Sequence, residues 1–137
     1  MVSEMSSSSL TLSQEIDAAS KFHPLPNIPD YIPDNLAKHI KLRPYQEEAI
    51  RRFLFVGDNN PHLLFHMATG SGKTVIMASL ILELYAKGFR NFIFFVNSTT
   101  IVNKTKDNFL SPQSNKYLYN DRIIIANKVG SFFLIKK

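Results

Sequence analysis

The chain has 137 residues, 45% of them apolar, which is enough for one compact core and too little for two domains of ordinary size. It has no cysteine, which excludes a disulfide frame and a thiolate metal site, and its net charge of +5 favours a polyanionic partner such as nucleotide or nucleic acid. The four histidines, His23, His39, His62 and His66, lack ligand-like spacing and read as structural or surface residues.

The opening "MVSEMSSSSLTLSQEIDAAS" carries no Lys or Arg and no apolar block of the kind a secretory signal needs. The longest apolar stretch, "VIMASLILELYA" from Val75, is shorter than the ~20 residues that cross a bilayer and contains Glu83. A cytoplasmic protein is expected. The serine-rich start reads as a flexible arm with a short helix around "LSQEIDAASK". The four prolines of "FHPLPNIPDYIPDNLAKH" predict an extended lead-in that ends in a turn at Pro33-Asp34. Residues 1–39 are thus expected to be a flexible Ser/Pro-rich arm and lead-in, with the ordered domain starting near Ile40.

"LRPYQEEAIRRFLF" predicts a helix, with Pro44 in its first turn, Glu47 and Glu48 at its positive end, and an apolar face of Tyr45, Ala49, Ile50, Phe53 and Leu54. "VGDNNP" breaks it, and "HLLFHM" predicts a short buried strand running into a glycine-rich stretch. After the glycines, "KTVIMASLILELYAK" has helical length and is apolar nearly all round, a buried helix ended by Gly88. "NFIFFVN" is a second expected strand, "STTIVNKTKDNFL" a helix capped by Ser98, and "RIIIAN" a third strand. Alternation of strand and helix predicts an α/β fold with a parallel sheet and flanking helices.

The stretch between the first strand and its helix, "MATGSGKT" (Met67, Ala68, Thr69, Gly70, Ser71, Gly72, Lys73, Thr74), has the residues a phosphate-binding loop requires. Glycines allow consecutive N–H groups to curl round a phosphate, and the following helix points its positive end at the same anion. Lys73 is expected to reach the β- and γ-phosphates of ATP, and the Thr74 hydroxyl to ligate Mg²⁺. The pattern G-x-x-x-x-G-K-[ST] is met at Gly72, Lys73 and Thr74, with Met67 in place of its first glycine.

"MATGSGKT" resembles motif I of the superfamily 2 (DEAD/DEAH-like) helicases and translocases, whose phosphate loops commonly begin with a residue other than glycine. "LRPYQEEAI" is similar to that family's adenine-recognition element. The resemblance implies that Gln46 reads the base through its amide and that Arg43 and Tyr45 flank the base or ribose. "NFIFFVNSTTIVNKTKDNF" resembles the next motif, which implies contacts from Asn97, Ser98 and Thr99 to a DNA backbone phosphate, although capping a helix is the commoner use of such a serine. Together with "SNKYLYNDRIII", residues 40 to 128 look most like the helicase-type (Res) subunit of type III restriction endonucleases. Residues 40–137 are then the N-terminal portion of a RecA-like ATP-binding lobe, truncated. DNA and a modification (methyltransferase) subunit of the full system are the implied partners.

The family needs an acidic D-E-x-H-like motif and a second lobe supplying arginine fingers. After Thr74 there is no D-E pair, and Asp107 and Asp121 stand alone. The isolated chain is therefore expected to be inactive as a hydrolase. The alternatives are a non-catalytic nucleotide- or DNA-binding module, a small P-loop kinase, which would want glycine at position 67, and a decayed fragment. The tail "SFFLIKK" reads either as a last strand or as the product of a shifted frame.

Overall fold

The computed structural model describes residues 9–57, 60, 62–125 and 128–130, the last three by backbone alone. The expected tail strand "SFFLIKK" lies outside the described residues. In chain order the elements are α1 (Leu12–Ala19), α2 (Tyr31–Asn35), α3 (Pro44–Val56), α4 (Lys73–Ala86), α5 (Thr99–Phe109), β1 (Ile123–Ile125) and β2 (Lys128–Gly130).

Helix α4 is the centre of the molecule. Ala78, Ser79 and Leu82 are inaccessible to solvent, and Ile76 and Ile81 are buried beside them, as an all-round apolar helix requires. Ser79 satisfies its buried hydroxyl by donating to the Val75 carbonyl one turn back, at 2.9 Å. Around α4 pack α2 and α3, and the core continues through Phe109 of α5, Leu118, Tyr119 and β1. Phe94, Phe109 and Tyr119 form a chain of tilted rings with centroids 5.0 and 6.0 Å apart.

Residues upstream of Ile40 contribute to the core. Ile32 is inaccessible and Leu36 is buried in the same core as α4. Asn35, also buried, donates from Nδ2 to the carbonyls of Tyr31 (2.6 Å) and Ile124 (2.9 Å) and accepts the Ile124 N–H at 2.7 Å. Leu36 bridges to Tyr119, and Arg51 of α3 donates to the Leu25 and Pro26 carbonyls at 2.9 Å each. The Pro33-Asp34 turn is the middle of a one-turn helix. Proline fits there because an N–H in the first turn has no intrahelical partner to lose. Further upstream, α1 starts with a reciprocal cap between Thr11 and Gln14 and lies on α3, where Arg52 meets Asp17 (2.6 Å) and Glu48 (2.8 Å).

The third expected strand is present as β1, but its partner is β2 in an antiparallel pair, with Ile124 opposite Val129. Among the described residues the segments 62–67 and 91–97 belong to no sheet. A residue's N–H and C=O share one edge of a strand. Asn35 takes both of those groups at Ile124, so the edge of β1 that a parallel neighbour would use is occupied at its centre. The two unpaired segments nevertheless alternate in burial with the period of a strand: Leu63, Phe65 and Met67 half-buried in one, Phe92 and Phe94 in the other.

One ionisable cluster ties the lead-in to α4. The Tyr31 hydroxyl donates to buried Glu83, which Lys87 approaches at 3.6 Å. Burial, then the hydrogen bond and charge of Glu83, raise the Tyr31 phenol above its ordinary value of 10.0. Burial likewise raises Tyr117 and Tyr119. A raised phenol means that the folded state keeps protons the unfolded chain releases. Stability should accordingly hold below pH ~10 and fall as the pH climbs above it. Urea titrations at pH 8 and pH ~11, with tyrosinate absorbance followed in parallel, check this. Ionisation of all five phenols near pH ~10 while the fold is intact would contradict it.

Candidate phosphate site

The extended segment 62–67 delivers the chain to a tight loop, and α4 begins immediately after it. Gly70 and Gly72 both take the left-handed conformation, with φ of 80 and 77. Around Gly70 a Cβ would meet nothing within 4 Å, so the tip of the loop is unobstructed at that position. No side chain caps α4, and no acidic residue lies in its first turn, which leaves its positive end available to an anion.

Lys73, exposed at the first position of α4, folds back over the loop and donates to the carbonyls of Met67 and Ala68, both at 2.9 Å. Ala68 also accepts the Ser71 N–H at 3.3 Å, which closes the turn through Thr69 and Gly70. Thr74 is half-buried and lines a groove of about 510 Å³ with Met77, Phe94, Val96 and Ile101, between α4, the segment 92–96 and α5. Among the described residues no cluster of three His, Cys, Asp or Glu side chains is arranged to hold a metal.

The start of α3 reaches the same loop. The Arg43 guanidinium donates to the Tyr45 hydroxyl at 3.0 Å, and that hydroxyl donates to the Ser71 carbonyl at 2.9 Å. Tyr45 is exposed rather than part of the apolar face expected of it, and it borders a cleft of about 410 Å³ together with Ile16, Phe53, His66 and Met67. Gln46 is 4% exposed. Its Oε1 accepts the Arg43 N–H at 2.9 Å, and its Nε2 donates to the carbonyls of Ser71 (3.1 Å) and Gly72 (3.4 Å). The two sequence elements are thus brought together, with the Gln46 amide turned into the loop. The link from Tyr45 to Ser71 was not foreseen; no spacing rule in the sequence signals a side chain bonded to backbone 26 residues away.

Asn97, Ser98 and Thr99 are all exposed at the start of α5. Ser98 caps this helix by accepting the Ile101 N–H at 3.3 Å. The four histidines are exposed, in line with a surface role.

A glycine loop joining an extended segment to the uncapped start of a buried helix is the arrangement of the P-loop class. Comparison with known proteins identifies the family. Residues 39–131 match the family model "Type III restriction enzyme, res subunit". Over 114 residues the chain is 39% identical to the "Probable type III restriction-modification enzyme HindVIP Res subunit" of Haemophilus influenzae, covering 74% of this chain and 22% of that protein. A shorter likeness, 37% identity over 51 residues, links 37% of the chain to 15% of "Replication factor C subunit 3" of Blastobotrys adeninivorans. No solved structure matches the chain. The chain belongs to the type III restriction enzyme Res family, whose helicase-type domain has a RecA-like P-loop fold, and it spans about a fifth of the length of its Haemophilus relative. No helix among the described residues is long and apolar enough to cross a membrane.

Proposed function

We propose that this chain is the nucleotide-binding portion of an ATP-dependent DNA translocase of the type III restriction class. The observation that carries the reading is the loop itself: Gly70 and Gly72 at positive φ, open space beside Gly70, an exposed Lys73, and a helix start with neither side-chain cap nor acidic residue. That combination suits a polyphosphate. Residues 67–74 would hold the phosphates of ATP, and Thr74 would supply one ligand to a Mg²⁺ that arrives with them. When bound, such a metal would supply charge neutralisation to the polyphosphate. Arg43 and Tyr45 would lie against the base or ribose, with the cleft beside Tyr45 to receive it.

In this reading the segments 62–67 and 91–97 are neighbouring strands of a parallel sheet in the complete lobe. Their outward side chains support it: Leu64 and Phe95 are each 92% exposed, and a strand apolar on both faces is one that a larger structure covers on both faces. Asn97, Ser98 and Thr99 would meet a DNA backbone phosphate at the positive end of α5. A modification methyltransferase subunit would be the protein partner of the full system.

The chain alone should bind Mg·ATP without DNA-stimulated hydrolysis. The acidic residues after Thr74 are Glu83, Asp107 and Asp121, and Glu83 is buried against Tyr31. Nothing among them orients a water at the γ-phosphate, so the loop gives ground-state binding and little that strengthens in the transition state. Calorimetry with ATP, followed by a phosphate-release assay with and without duplex DNA, tests both halves. Absence of ATP binding would refute the nucleotide assignment. A Lys73-dependent rate that rises with DNA would refute the binding-only state of the chain.

A further inference from the structure

Two neighbouring arginines of α3 hold the preceding chain in different ways. Arg51 donates to the carbonyls of Leu25 and Pro26, both at 2.9 Å, and so fixes the lead-in against α3. Arg52 reaches further back, to the Asp17 carboxylate of α1 at 2.6 Å and the Ser13 hydroxyl at 3.4 Å, while keeping Glu48 of its own helix at 2.8 Å. Beyond these polar contacts α1 has a single buried side chain, Ile16. Ile16 and Val56, at the end of α3, are both buried but stand outside the core around α4. The docking of α1 is thus separable from the packing of the rest.

With eight residues, α1 is below the ~12–15 at which an isolated helix persists in water. It is a helix only while docked, so leaving α3 and losing its hydrogen bonds are one event, readable by hydrogen exchange. Leu12, Ser13 and Ile16 of α1 line the cleft of about 410 Å³ together with Tyr45, Phe53 and His66. The Tyr45 hydroxyl donates to the Ser71 carbonyl at 2.9 Å, which joins this cleft to the glycine loop. Apolar and aromatic walls with a few polar groups suit a flat ring system with polar edges.

We infer that α1 is a strap over the nucleoside end of the site: it closes on the base and ribose of a nucleotide in the cleft, and Arg52, through Asp17, latches it to α3. This rests on the proposal that the loop binds nucleotide. A ligand that touches docked α1 favours the docked state, whereas one confined to the loop makes no differential contact and shifts nothing. The coupling is reciprocal, so whatever the nucleoside adds to docking, docking adds to nucleoside affinity. Asp17 itself does not line the cleft, which separates the latch from the ligand's own contacts.

The test is hydrogen exchange of the full chain by mass spectrometry, read in peptides from α1 and α4, with calorimetry for affinity. Without ligand, Asp17→Asn should speed exchange in α1 about two- to fivefold, the effect of losing a surface ion pair. Ile16→Ala should speed it about tenfold or more, with exchange in α4 as in the parent for both variants. Saturating Mg·ATP should slow exchange in α1 of the parent by about fivefold or more, and inorganic tripolyphosphate should leave it unchanged. Ile16→Ala should weaken ATP binding by a comparable factor and spare tripolyphosphate. Parental exchange in Asp17→Asn, no protection of α1 by ATP, equal protection by the two ligands, or an acceleration in Ile16→Ala that extends to α4 would overturn the inference. Each of those results leaves the nucleotide assignment standing as long as both ligands bind. If the parent binds neither, the nucleotide assignment fails, and this inference with it.

Discussion

Lys73→Ala is expected to cut to about half or less the rise in melting temperature that Mg·ATP gives the parent chain. Of residues 67–74 it is the one with a charged side chain. It is exposed and tied only to the carbonyls of Met67 and Ala68, which a polyphosphate can replace as acceptors. Hydrogen bonds from an ammonium to an anionic oxygen are worth roughly 1.5–3 kcal/mol, so the substitution should weaken binding by about ten- to a hundredfold. Ligand at a hundred times its dissociation constant stabilises a folded protein by about 2.7 kcal/mol; at the same concentration the variant would gain roughly 0.4–1.4 kcal/mol or less. Without ligand, the variant should melt within about 0.5 kcal/mol of the parent, because the lost bonds lie on the surface. Differential scanning fluorimetry across an ATP series separates the two effects. An unchanged ATP-dependent shift in the variant would remove Lys73 from the site, and with it the main charge of the proposed function.

Elements specified by neighbouring residues were legible in the sequence, and those specified across it were not. Helices α3, α4 and α5 could be read because Pro44, Gly88 and Ser98 mark their limits and the intervening periodicity is strong. The glycine loop could be read because left-handed glycines before a helix start are a local feature. The lead-in resisted because its helix is one turn long and contains a proline, and because what buries it is distant: Asn35 answers Ile124, 89 positions later. The strand pattern at 62–67 and 92–96 was visible as period-two burial, but pairing depends on a neighbouring strand, and β1 has its edge taken by Asn35. For Gln46 the sequence supplied the position but not the direction of the amide. A one-dimensional pattern holds no information on whether that group faces a base or the backbone of Ser71 and Gly72.

Asn35→Ala should produce the larger loss of stability, about 3–5 kcal/mol, from a position that the sequence alone presents as a polar residue in a proline-rich stretch. The side chain is 3% exposed and makes three hydrogen bonds, two of them to the N–H and C=O of Ile124. Alanine would leave both of those backbone groups, and the Tyr31 carbonyl, without this partner. Each unsatisfied buried group costs roughly 1–3 kcal/mol, partly relieved if water enters. Against a total stability of about 5–15 kcal/mol for a domain, this is enough to detach α2 from β1 and expose Ile32 and Leu36. Asn35→Asp should be no milder: it can still accept the Ile124 N–H but sets a carboxylate against the Tyr31 and Ile124 carbonyls. The matched control is Asn103→Ala on the exposed face of α5, which should change stability by less than about 0.5 kcal/mol. Urea unfolding followed by circular dichroism compares the three, with the slope reporting whether the lead-in melts separately from the rest. An Asn35→Ala midpoint as close to the parent's as that of the Asn103 control would show that the lead-in does not stabilise the lobe. The larger shift would instead make residues 31–37 part of the unit that carries the phosphate loop, because α2 packs on the same α4 whose first turn holds Lys73 and Thr74.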